Sequence, residues 1–345
     1  MSEIRAAIDD LVSRGGVAPA RLGAAFGEIM DGKASPATAA GLLIALRMKG
    51  ESVDEIVAVA RALRARATTA KATDPKTIDT CGTGGSGLDT FNISTTAAFV
   101  VAGAGVSVAK HGNRAATSQS GSFDVLEALG VRIDLPIETC AEILADVGIA
   151  PFFARTAHPA FRHIAPVRAE LGVRTLLNCL GPLLSPVGAL YQLVGVYSDS
   201  LVEPLAGALA ELGAARALVV HGSDGMDELT TTGPSSAALV AGGRVETLTI
   251  EPETLGIERA KLSELTGGTP EQNARTTRAI LAGESGARRD IVLLNAGAAL
   301  WVVEAVESLE AGIERAARSL DDGSAAAKLE ALGKATAQAG SGASA

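Results

Sequence analysis

A glycine-rich loop after a short strand signal is the feature that most constrains how this chain can fold. Four of the six residues from Gly82 to Gly87 are glycine. Because glycine has no side chain, backbone N–H groups in such a loop can approach a ligand closely, as phosphate-binding loops require. Ser94 or Thr95 is then placed to cap a helix, whose N-terminus presents further unpaired N–H groups. We therefore expect this loop to bind a phosphate ester.

A second strand, loop and helix repeat this plan in residues 106–130. Residues 106–109 are typical of a strand, a polar and basic stretch follows at 110–120, and a helix is predicted at 122–129, before Gly130. We expect the two loops to face each other. Such an arrangement suits a substrate with two separated phosphate groups.

The glycine-rich loop taken alone leaves an alternative open, because a tight turn between a strand and a helix also uses glycine. The loop is not a Walker loop, since no Gly-Lys-Ser/Thr sequence closes it, and its glycine spacing does not fit the dinucleotide fingerprint well. Two loops of this type, followed by a carboxylate pair further along the chain, favour a binding site.

Composition excludes several classes of protein. The chain has 345 residues and is 47% hydrophobic, enough for a large core and two domains, and its formal net charge of −9 argues against a nucleic-acid surface. The longest mostly apolar segment, 97–109, is shorter than the roughly 20 residues of a membrane span. The charged N-terminus does not resemble a signal peptide. Cys81, Cys140 and Cys179 lack metal-ligand spacing and cannot all pair, which indicates buried fillers in a reducing, cytoplasmic protein.

The order of predicted elements indicates an α/β protein with two domains. Residues 1–70 are expected to form a small helical domain, rejoined by about residues 160–184, in which Ser52 and Glu55 make a capping box. Residues 71–159 and 185–332 alternate strands and helices, which indicates a mainly parallel central sheet flanked by helices. Residues 333–345 are rich in Ala, Gly and Ser and are expected to form a flexible tail. The strands are predicted at 77–80, 106–109, 151–154, 192–196, 217–221 and 291–294.

A carboxylate pair, Asp227 and Glu228, follows the strand predicted at 217–221 on a glycine-flanked loop. Because the carboxyl ends of parallel strands meet at one edge of a sheet, the pair can reach the same crevice as the glycine-rich loop. Hard oxygen ligands of this kind suit magnesium held against a substrate phosphate. An adjacent Asp-Glu pair is also common on solvated surfaces, but its position after a predicted strand favours a metal site.

Several motifs follow one another along nearly the whole chain. They are Gly82-Thr83-Gly84-Gly85, Asn92-Ile93-Ser94-Thr95, Lys110-His111-Gly112-Asn113-Arg114, residues 124–130, Pro166-Val167-Arg168, Glu170-Leu171-Gly172, Asn178 with residues 180–183, residues 192–196, and Asp227-Glu228-Leu229-Thr230. They resemble those of the anthranilate phosphoribosyltransferases, which join anthranilate to phosphoribosyl diphosphate in tryptophan biosynthesis. As an ordered set they are far more specific than any one of them. The resemblance implies a small helical domain joined to a larger α/β domain, and a homodimer formed through the helices.

The resemblance also implies which residues bind the substrates and the metal. It assigns anthranilate to Gly82, Asn113 and Arg168, whose planar guanidinium can grip a carboxylate. It assigns two Mg²⁺ ions per subunit to Ser94, Asp227 and Glu228, with Glu228 contacting both. The residues implied for phosphoribosyl diphosphate are Gly82, Gly85, Ser86, Thr90, Asn92, Ile93, Ser94, Thr95, Lys110, His111, Gly112, Asn113, Arg114, Ala115, Ala116, Thr117, Ser118 and Ser122.

The reaction implied by the resemblance needs no catalytic acid or base. The amine of anthranilate is neutral at working pH and can attack the anomeric carbon directly. The barrier lies in breaking the bond to diphosphate, so catalysis is expected from positioning and from neutralisation of the leaving group.

Two positions depart from the family pattern. Ser86 stands where the family usually has Asp, which removes a charge beside the expected metal site, and Thr117 stands where serine is more usual.

Two other functions stay open. A nucleoside-phosphorylase-like enzyme has a similar fold but accepts inorganic phosphate and does not need the Asp227-Glu228 pair. A non-catalytic relative would bind nucleotides or nucleic acid.

Overall fold

The N-terminal part of the chain is built from helices in the computed structural model, which describes residues 2–115 and 119–342. These helices are α1 (Glu3–Arg14), α2 (Pro19–Met30), α3 (Pro36–Lys49) and α4 (Val53–Arg64). Helix α4 begins with the predicted capping box: Glu55 N donates to the Ser52 hydroxyl at 3.3 Å, and Ser52 N donates to the Glu55 carboxylate at 2.9 Å. The box satisfies two backbone donors that would otherwise be unpaired.

A seven-stranded sheet in the order β3-β2-β1-β4-β5-β6-β7 forms the centre of the larger domain. Strands β1 to β5 are parallel, and β6 and β7 extend the sheet as an antiparallel hairpin. The direction of winding reverses between β1 and β4, and ligands of open α/β sheets bind in the crevice at such a point. The strands are β1 (Ile78–Thr80), β2 (Val108–Gly112), β3 (Ile149–Phe153), β4 (Tyr191–Gly195), β5 (Arg216–Gly222), β6 (Ser235–Ala241) and β7 (Arg244–Ile250).

Helices and short 3₁₀ turns make up the rest of the regular structure. The helices are α5 (Ile93–Gly103), α6 (Ser122–Ala128), α7 (Ile137–Val147), α8 (Ala154–Ala157), α9 (Ala165–Leu171), α10 (Val202–Glu211), α11 (Pro270–Leu281), α12 (Ala287–Val302), α13 (Leu309–Asp321) and α14 (Ser324–Gly342). The 3₁₀ turns are Pro159–His163, Leu176–Asn178, Gly181–Leu184, Asp199–Leu201, Pro252–Leu255 and Leu262–Leu265. None of the helices in the described ranges combines the length and the apolar character that crossing a membrane requires.

Two hydrophobic cores lie on opposite faces of the sheet. Along β5, Leu218 and Val220 belong to the core that contains α5 and α12, whereas Ala217 and Val219 belong to the core that contains α1 to α4. This alternation has the period of two expected for a strand buried on both faces. The helical domain therefore packs on one face of the sheet, and α5 and α12 pack on the other.

Residues 159–184 return to the N-terminal helices after β3. Helix α9 contacts α3, and Ile164, Val167 and Leu176 belong to the same core as Phe26 of α2. A small helical domain beside a larger α/β domain with a mainly parallel sheet is thus confirmed as the fold class.

The sixth predicted strand is wrong. Residues 291–294 lie inside α12, because a short buried apolar run has the same composition in a helix and in a strand. Strands β6 and β7 are absent from the prediction. Most of β7 is exposed and polar, so it lacks the apolar pattern that indicates a strand.

The flexible tail expected at 333–345 is wrong for residues 333–342, since α14 continues to Gly342. Ala335 and Ala339 pack against the main core, and Arg132 N donates to the buried hydroxyl of Thr336 at 3.2 Å. The tail was expected to be flexible because it has few large apolar residues. Its small residues nevertheless allow the helix to pack closely against its neighbours. Residues 343–345 lie outside the described part of the chain.

Candidate active site

The glycine-rich loop follows β1 at the point where the winding of the sheet reverses. Gly84, Gly85 and Gly87 have left-handed φ angles of 65°, 82° and 79°, and an added β-carbon at any of them would meet nothing within 4 Å. The left-handed backbone favours glycine at each position. The open space beside them lets a ligand approach the backbone, which is the geometry that a phosphate-binding loop needs.

Contacts from both domains hold this loop. Thr83 N donates to Gly195 O at 2.8 Å, and Tyr197 N donates to the Thr83 hydroxyl at 3.1 Å. Arg174, in the segment that packs on the N-terminal helices, donates to Gly85 O at 2.6 Å. Its guanidinium carbon lies 4.4 Å from the centre of the Tyr197 ring. The loop is therefore positioned by the end of β4 and by the helical side of the protein together.

The N-terminus of α5 contacts a carboxylate from a distant part of the chain. Ser94 N donates to Glu228 Oε1 at 3.1 Å across 134 positions of sequence. The positive end of the helix dipole favours a negative charge there. The cap predicted at Ser94 or Thr95 is wrong: the N-cap residue is Asn92, and its side chain makes no capping bond.

Asn92 instead ties neighbouring segments together. Its Nδ2 donates to Ser120 O at 3.3 Å, and its Oδ1 accepts from Asn273 Nδ2 at 2.8 Å. Two residues before Asn92, Thr90 forms an isolated antiparallel β-bridge with Thr266. Ile93 and Thr95 are buried, so their side chains support the turn from inside.

Asp227 and Glu228 lie half-buried after β5, beside the glycine-rich loop. Burial and then the charge of Asp227 raise the pKa of Glu228 to about 7. Burial also raises the pKa of Asp227, against the opposing effects of the Ser86 hydroxyl and the Gly84 backbone. Two neighbouring carboxylates removed from solvent are unfavourable unless a proton or a cation compensates them. The pair is therefore not a solvated surface pair.

Close packing fixes the backbone around this pair. A β-carbon at Gly195 would lie 1.7 Å from Asp227 O, so only glycine at the end of β4 admits the loop. Behind the pair, the buried Asn295 of α12 bonds both sides of Leu229: Oδ1 accepts from Leu229 N at 3.1 Å, and Nδ2 donates to Leu229 O at 2.9 Å. Asp224 accepts from two threonine hydroxyls of the same loop at 2.7 Å each.

Lys110 of β2 is buried and points back towards β1. Its ammonium donates to Thr80 O at 2.6 Å and favours the ionised form of Asp79. Burial nonetheless raises the pKa of Asp79 to about 7. Burial, followed by the neighbouring His158, lowers the pKa of His111 to about 3. Lys110 thus compensates buried negative charge within the protein itself.

The polar loop after β2 is closed at its base by Asp124. The Asp124 carboxylate accepts from Ala115 N at 2.8 Å and from Gly121 N at 2.9 Å. A β-carbon at Gly121 would lie 2.3 Å from Ala115 N, so glycine permits the closure. The candidate residues Ala116, Thr117 and Ser118 lie outside the described residues.

The described part of this loop is largely on the surface. Asn113 is exposed and accepts from Arg114 N through its Oδ1 at 2.9 Å, and Arg114 pairs with Glu127 at 2.8 Å. The Ser122 hydroxyl donates to Asn113 O at 3.2 Å. Gly112 lies against Ser122, whose hydroxyl oxygen would be 2.6 Å from an added β-carbon. These residues are held by one another rather than by the carboxylate pair.

Arg168 lies on α9, on the helical side of the crevice. Its side chain is half-buried, and burial lowers the pKa of the guanidinium. Within residues 2–115 and 119–342, no carboxylate forms an ion pair with it. A half-buried guanidinium without a counter-charge is suited to bind a ligand anion.

The structure brings one group of the predicted site residues together. A β-carbon at Gly82 would lie 3.1 Å from Asp227 Oδ2, Ser86 interacts with the same carboxylate, and Ser94 bonds Glu228. Asn113 and Arg114 bond within their own loop, and Arg168 stands on a separate element.

Three residues that shape the site are missing from the sequence prediction. Gly195 lies inside the motif 192–196, which indicates the family. The motif does not indicate that the Asp227 backbone packs against this glycine. Asn295 directly follows the run 291–294, whose composition favours a strand, and its contact with Leu229 depends on the helix. Arg174 carries no signal for contact with the glycine-rich loop.

Two family models match the chain and cover both domains. Residues 5–67 match the glycosyl transferase family, helical bundle domain, and residues 74–326 match the glycosyl transferase family, a/b domain. The second model alone spans more than half of the chain. The chain therefore belongs to this glycosyl transferase family.

Within the family, the chain is similar to anthranilate phosphoribosyltransferases. It is 50% identical to that of Moorella thermoacetica over 95% of this chain and 97% of the relative, and 55% identical to that of Rubrobacter xylanophilus over 88% of each. The crystal structure of the enzyme from Thermus thermophilus matches with a TM-score of 0.91 at 43% identity, covering 97% of this chain and 99% of that one. The enzyme of Saccharomyces cerevisiae in complex with PRPP and Mg matches with a TM-score of 0.90 at 27% identity, covering 97% and 98%. The resemblance drawn from the motifs is confirmed.

We expect Asn295→Leu to destabilise the protein, because a leucine of similar volume leaves the buried N–H and C=O of Leu229 unpaired. Each unpaired buried group costs about 1–3 kcal/mol, so the loss of both should lower the free energy of unfolding by about 2–6 kcal/mol in a urea titration. Asn113→Leu at an exposed position is the control and should change it by less than about 0.5 kcal/mol. Equal effects of the two substitutions would contradict the role given to Asn295.

Proposed function

We propose that the protein transfers the 5-phosphoribosyl group from phosphoribosyl diphosphate to the amine of anthranilate. The products are N-(5-phosphoribosyl)anthranilate and diphosphate, in the second step of tryptophan biosynthesis from chorismate. The observation that carries this function is the meeting of the glycine-rich loop, the N-terminus of α5 and the Asp227-Glu228 pair in one crevice. Similarity to anthranilate phosphoribosyltransferases over nearly the whole chain supports the choice of substrates.

We assign Mg²⁺ to Ser94, Asp227 and Glu228, and we propose two ions per subunit with Glu228 contacting both. Hydroxyl and carboxylate oxygens are the hard ligands that Mg²⁺ prefers. The raised pKa of Glu228 beside Asp227 supports the assignment, because it indicates a site that lacks positive charge. Bound Mg²⁺ neutralises charge on a diphosphate leaving group. The structure of the Saccharomyces cerevisiae enzyme contains PRPP and Mg.

We assign phosphoribosyl diphosphate to the two loops that follow β1 and β2. The first contributes Gly82, Gly85 and Ser86 and leads into the turn at 90–95. The second contributes residues 110–118 and Ser122. The open left-handed backbone at Gly85 supports this assignment, since it leaves N–H groups accessible to phosphate oxygens.

We assign anthranilate to Gly82, Asn113 and Arg168. The unpaired, half-buried guanidinium of Arg168 supports binding of a carboxylate, and the exposed Asn113 side chain can bond a substrate that reaches its loop. Another structure of the Saccharomyces cerevisiae enzyme contains 4-fluoroanthranilate. It matches this chain with a TM-score of 0.88 at 25% identity.

Positioning and electrostatics carry the mechanism. The neutral amine of anthranilate needs no base to attack, so we assign no acid or base to the site. Arg168 and Asn113 hold the acceptor, the glycine-rich loop holds the donor, and the excess of carboxylate recruits the cation that stabilises departing diphosphate. Lys110 is already bonded to Thr80 O and acts as a fixed positive charge beneath the crevice.

We further propose a homodimer formed through the helical domain. Val12 of α1 is 75% exposed and Met48 of α3 is 84% exposed, which is unusual for large apolar side chains on adjoining helices.

A cytoplasmic location without a nucleic-acid partner is supported by three free buried cysteines and by the net charge of −9.

The function is tested by mixing the full-length protein with anthranilate, phosphoribosyl diphosphate and Mg²⁺ and following the loss of anthranilate fluorescence. We expect turnover, and we expect the double variant Asp227→Asn with Glu228→Gln to lose at least about a hundredfold in rate while keeping its circular dichroism spectrum. Phosphorolysis of nucleosides is measured in parallel. Turnover only in that second assay would establish the phosphorylase-like alternative, and turnover in neither would favour a binding protein.

Arg168→Ala should raise the apparent KM for anthranilate far more than the KM for phosphoribosyl diphosphate. A charge-assisted bond to a carboxylate contributes about 1.5–3 kcal/mol, which corresponds to a roughly tenfold to hundredfold change. Arg162→Ala, an exposed arginine of the same segment, is the matched control and should change neither value. An equal rise in both KM values would point to a structural role for Arg168.

Ser86→Asp should lower the Mg²⁺ concentration needed for half-maximal rate, because a carboxylate adds negative charge beside Asp227, with which Ser86 interacts. The difference should shrink at high salt, which screens the added charge. Mg²⁺ titrations at fixed phosphoribosyl diphosphate measure it, and Ser86→Asn is the neutral control. Coincident curves for the natural protein and Ser86→Asp at low salt would place residue 86 away from the metal.

A further inference from the structure

Three potential metal ligands of different chemistry meet beneath the glycine-rich loop. They are Asp79 of β1, Cys81 just after β1 and His111 of β2, and one ligand atom from each lies within 4.8 Å of the others. All three residues are buried. The parallel register pairs Ile78 with Val108, and continuing it along both strands brings Cys81 level with His111. The backbone of the sheet therefore holds the cluster in place.

Several polar atoms of this cluster have no partner among the described residues. They are Asp79 Oδ2 and both ring nitrogens of His111. The Gly181 backbone makes a weak polar contact with the His111 ring that falls short of full hydrogen-bond geometry at either nitrogen. Asp79 Oδ1, in contrast, accepts from His111 N at 3.1 Å. A buried unpaired group costs about 1–3 kcal/mol, so a bound species that satisfies this group of atoms is favoured.

We propose that Asp79, Cys81 and His111 form a binding site for a zinc-like transition-metal ion, separate from the magnesium site at Asp227 and Glu228. His111 also begins the loop that we assign to phosphoribosyl diphosphate, and its buried ring is the part that we propose as a metal ligand. Thiolate and imidazole ligands favour Zn²⁺ over Mg²⁺, which prefers oxygen ligands alone. On binding, the Cys81 thiol gives its proton to the buffer and its sulfur bonds the metal, and no electron transfer is involved. Three protein ligands leave a fourth tetrahedral position open.

The distances fit this ion after small movements of the side chains. Zn²⁺ bonds of about 2.0–2.3 Å in a tetrahedron place ligand atoms about 3.3–3.8 Å apart. The present separations of up to 4.8 Å therefore need a contraction of about 1 Å. Rotation of the His111 ring can supply it, because neither ring nitrogen makes a hydrogen bond of full geometry. Rotation of Cys81 would give up the contact of its sulfur with Gly82 O at 3.6 Å.

The surrounding charges also favour a cation. The carboxylate of Asp79 is itself a member of the cluster, and the nearby Lys110 ammonium, which donates to Thr80 O at 2.6 Å, is a positive charge beside it. A divalent cation would be attracted by the negative charge of the Asp79 carboxylate and of a Cys81 thiolate. Lys110 repels that cation, so we expect weaker binding than at a site made of cysteines alone.

Cobalt is the probe, because Co²⁺ occupies zinc sites and a thiolate ligand gives it a near-ultraviolet charge-transfer absorption. We titrate the full-length protein with Co²⁺ in the absence of substrates and expect this absorption to saturate at one ion per chain. Zn²⁺ should abolish it by displacement, and a large excess of Mg²⁺ should not. Cys81→Ala should reduce it at least about tenfold.

The chain offers matched controls. Cys140 and Cys179 are also free and buried, so Cys140→Ala and Cys179→Ala should keep the absorption. If Cys81→Ala does not fold, His111→Gln is the second variant. It removes one ligand without changing the thiol, and it should weaken Co²⁺ binding. No thiolate absorption in the natural protein, or absorption that survives Cys81→Ala, would overturn the site. Binding of Co²⁺ without any thiolate absorption would place the ion at oxygen ligands such as Asp227 and Glu228 and would also overturn the site.

Discussion

The close approach of the Asp227 backbone to the end of β4 is the constraint on which the rest of the site depends. It is possible only because residue 195 is glycine, since a β-carbon there would lie 1.7 Å from Asp227 O. The approach places Glu228 at the N-terminus of α5, where Ser94 N donates to it, and places Asp227 against Gly82. Loops after β1, β4 and β5 consequently share one crevice, at the point where parallel winding reverses.

Buried negative charge dominates the electrostatics of this crevice. Burial raises the pKa of Asp79, Asp227 and Glu228, and Lys110 is the cation that favours the ionised form of Asp79 and of Glu228. The atoms near these charges that could bind a metal differ in kind. The Asp227-Glu228 pair and Ser94 offer oxygen ligands, whereas the sulfur of Cys81 and a nitrogen of His111 lie near an oxygen of Asp79. The proposed magnesium site and the proposed zinc-like site would therefore share one electronegative region while differing in the cation that they prefer.

Local patterns predicted much of the fold. The capping box at Ser52 and Glu55 and the five parallel strands needed only neighbouring residues to be recognised. The failures share one cause. Residues 291–294 and the small residues of α14 take their structure from what packs around them: α12 is buried against α5, and α14 packs on the same core. Composition alone does not distinguish a buried helix from a strand, or a closely packed helix of small residues from a flexible segment.

By itself, the sequence determined the fold class, the family and the residue types of the crevice. The motifs and glycine-rich loops consist of neighbouring residues, so their order and residue types can be read without knowing the tertiary structure. Only the tertiary structure decided which distant side chains meet. Asn295 reaches Leu229 from another element, Arg174 reaches Gly85 from the helical side, and Cys81 joins His111 across two strands. Spacing along the chain does not encode such contacts, since they are set by strand register, by the packing of helices on the sheet and by the absence of a side chain at Gly195.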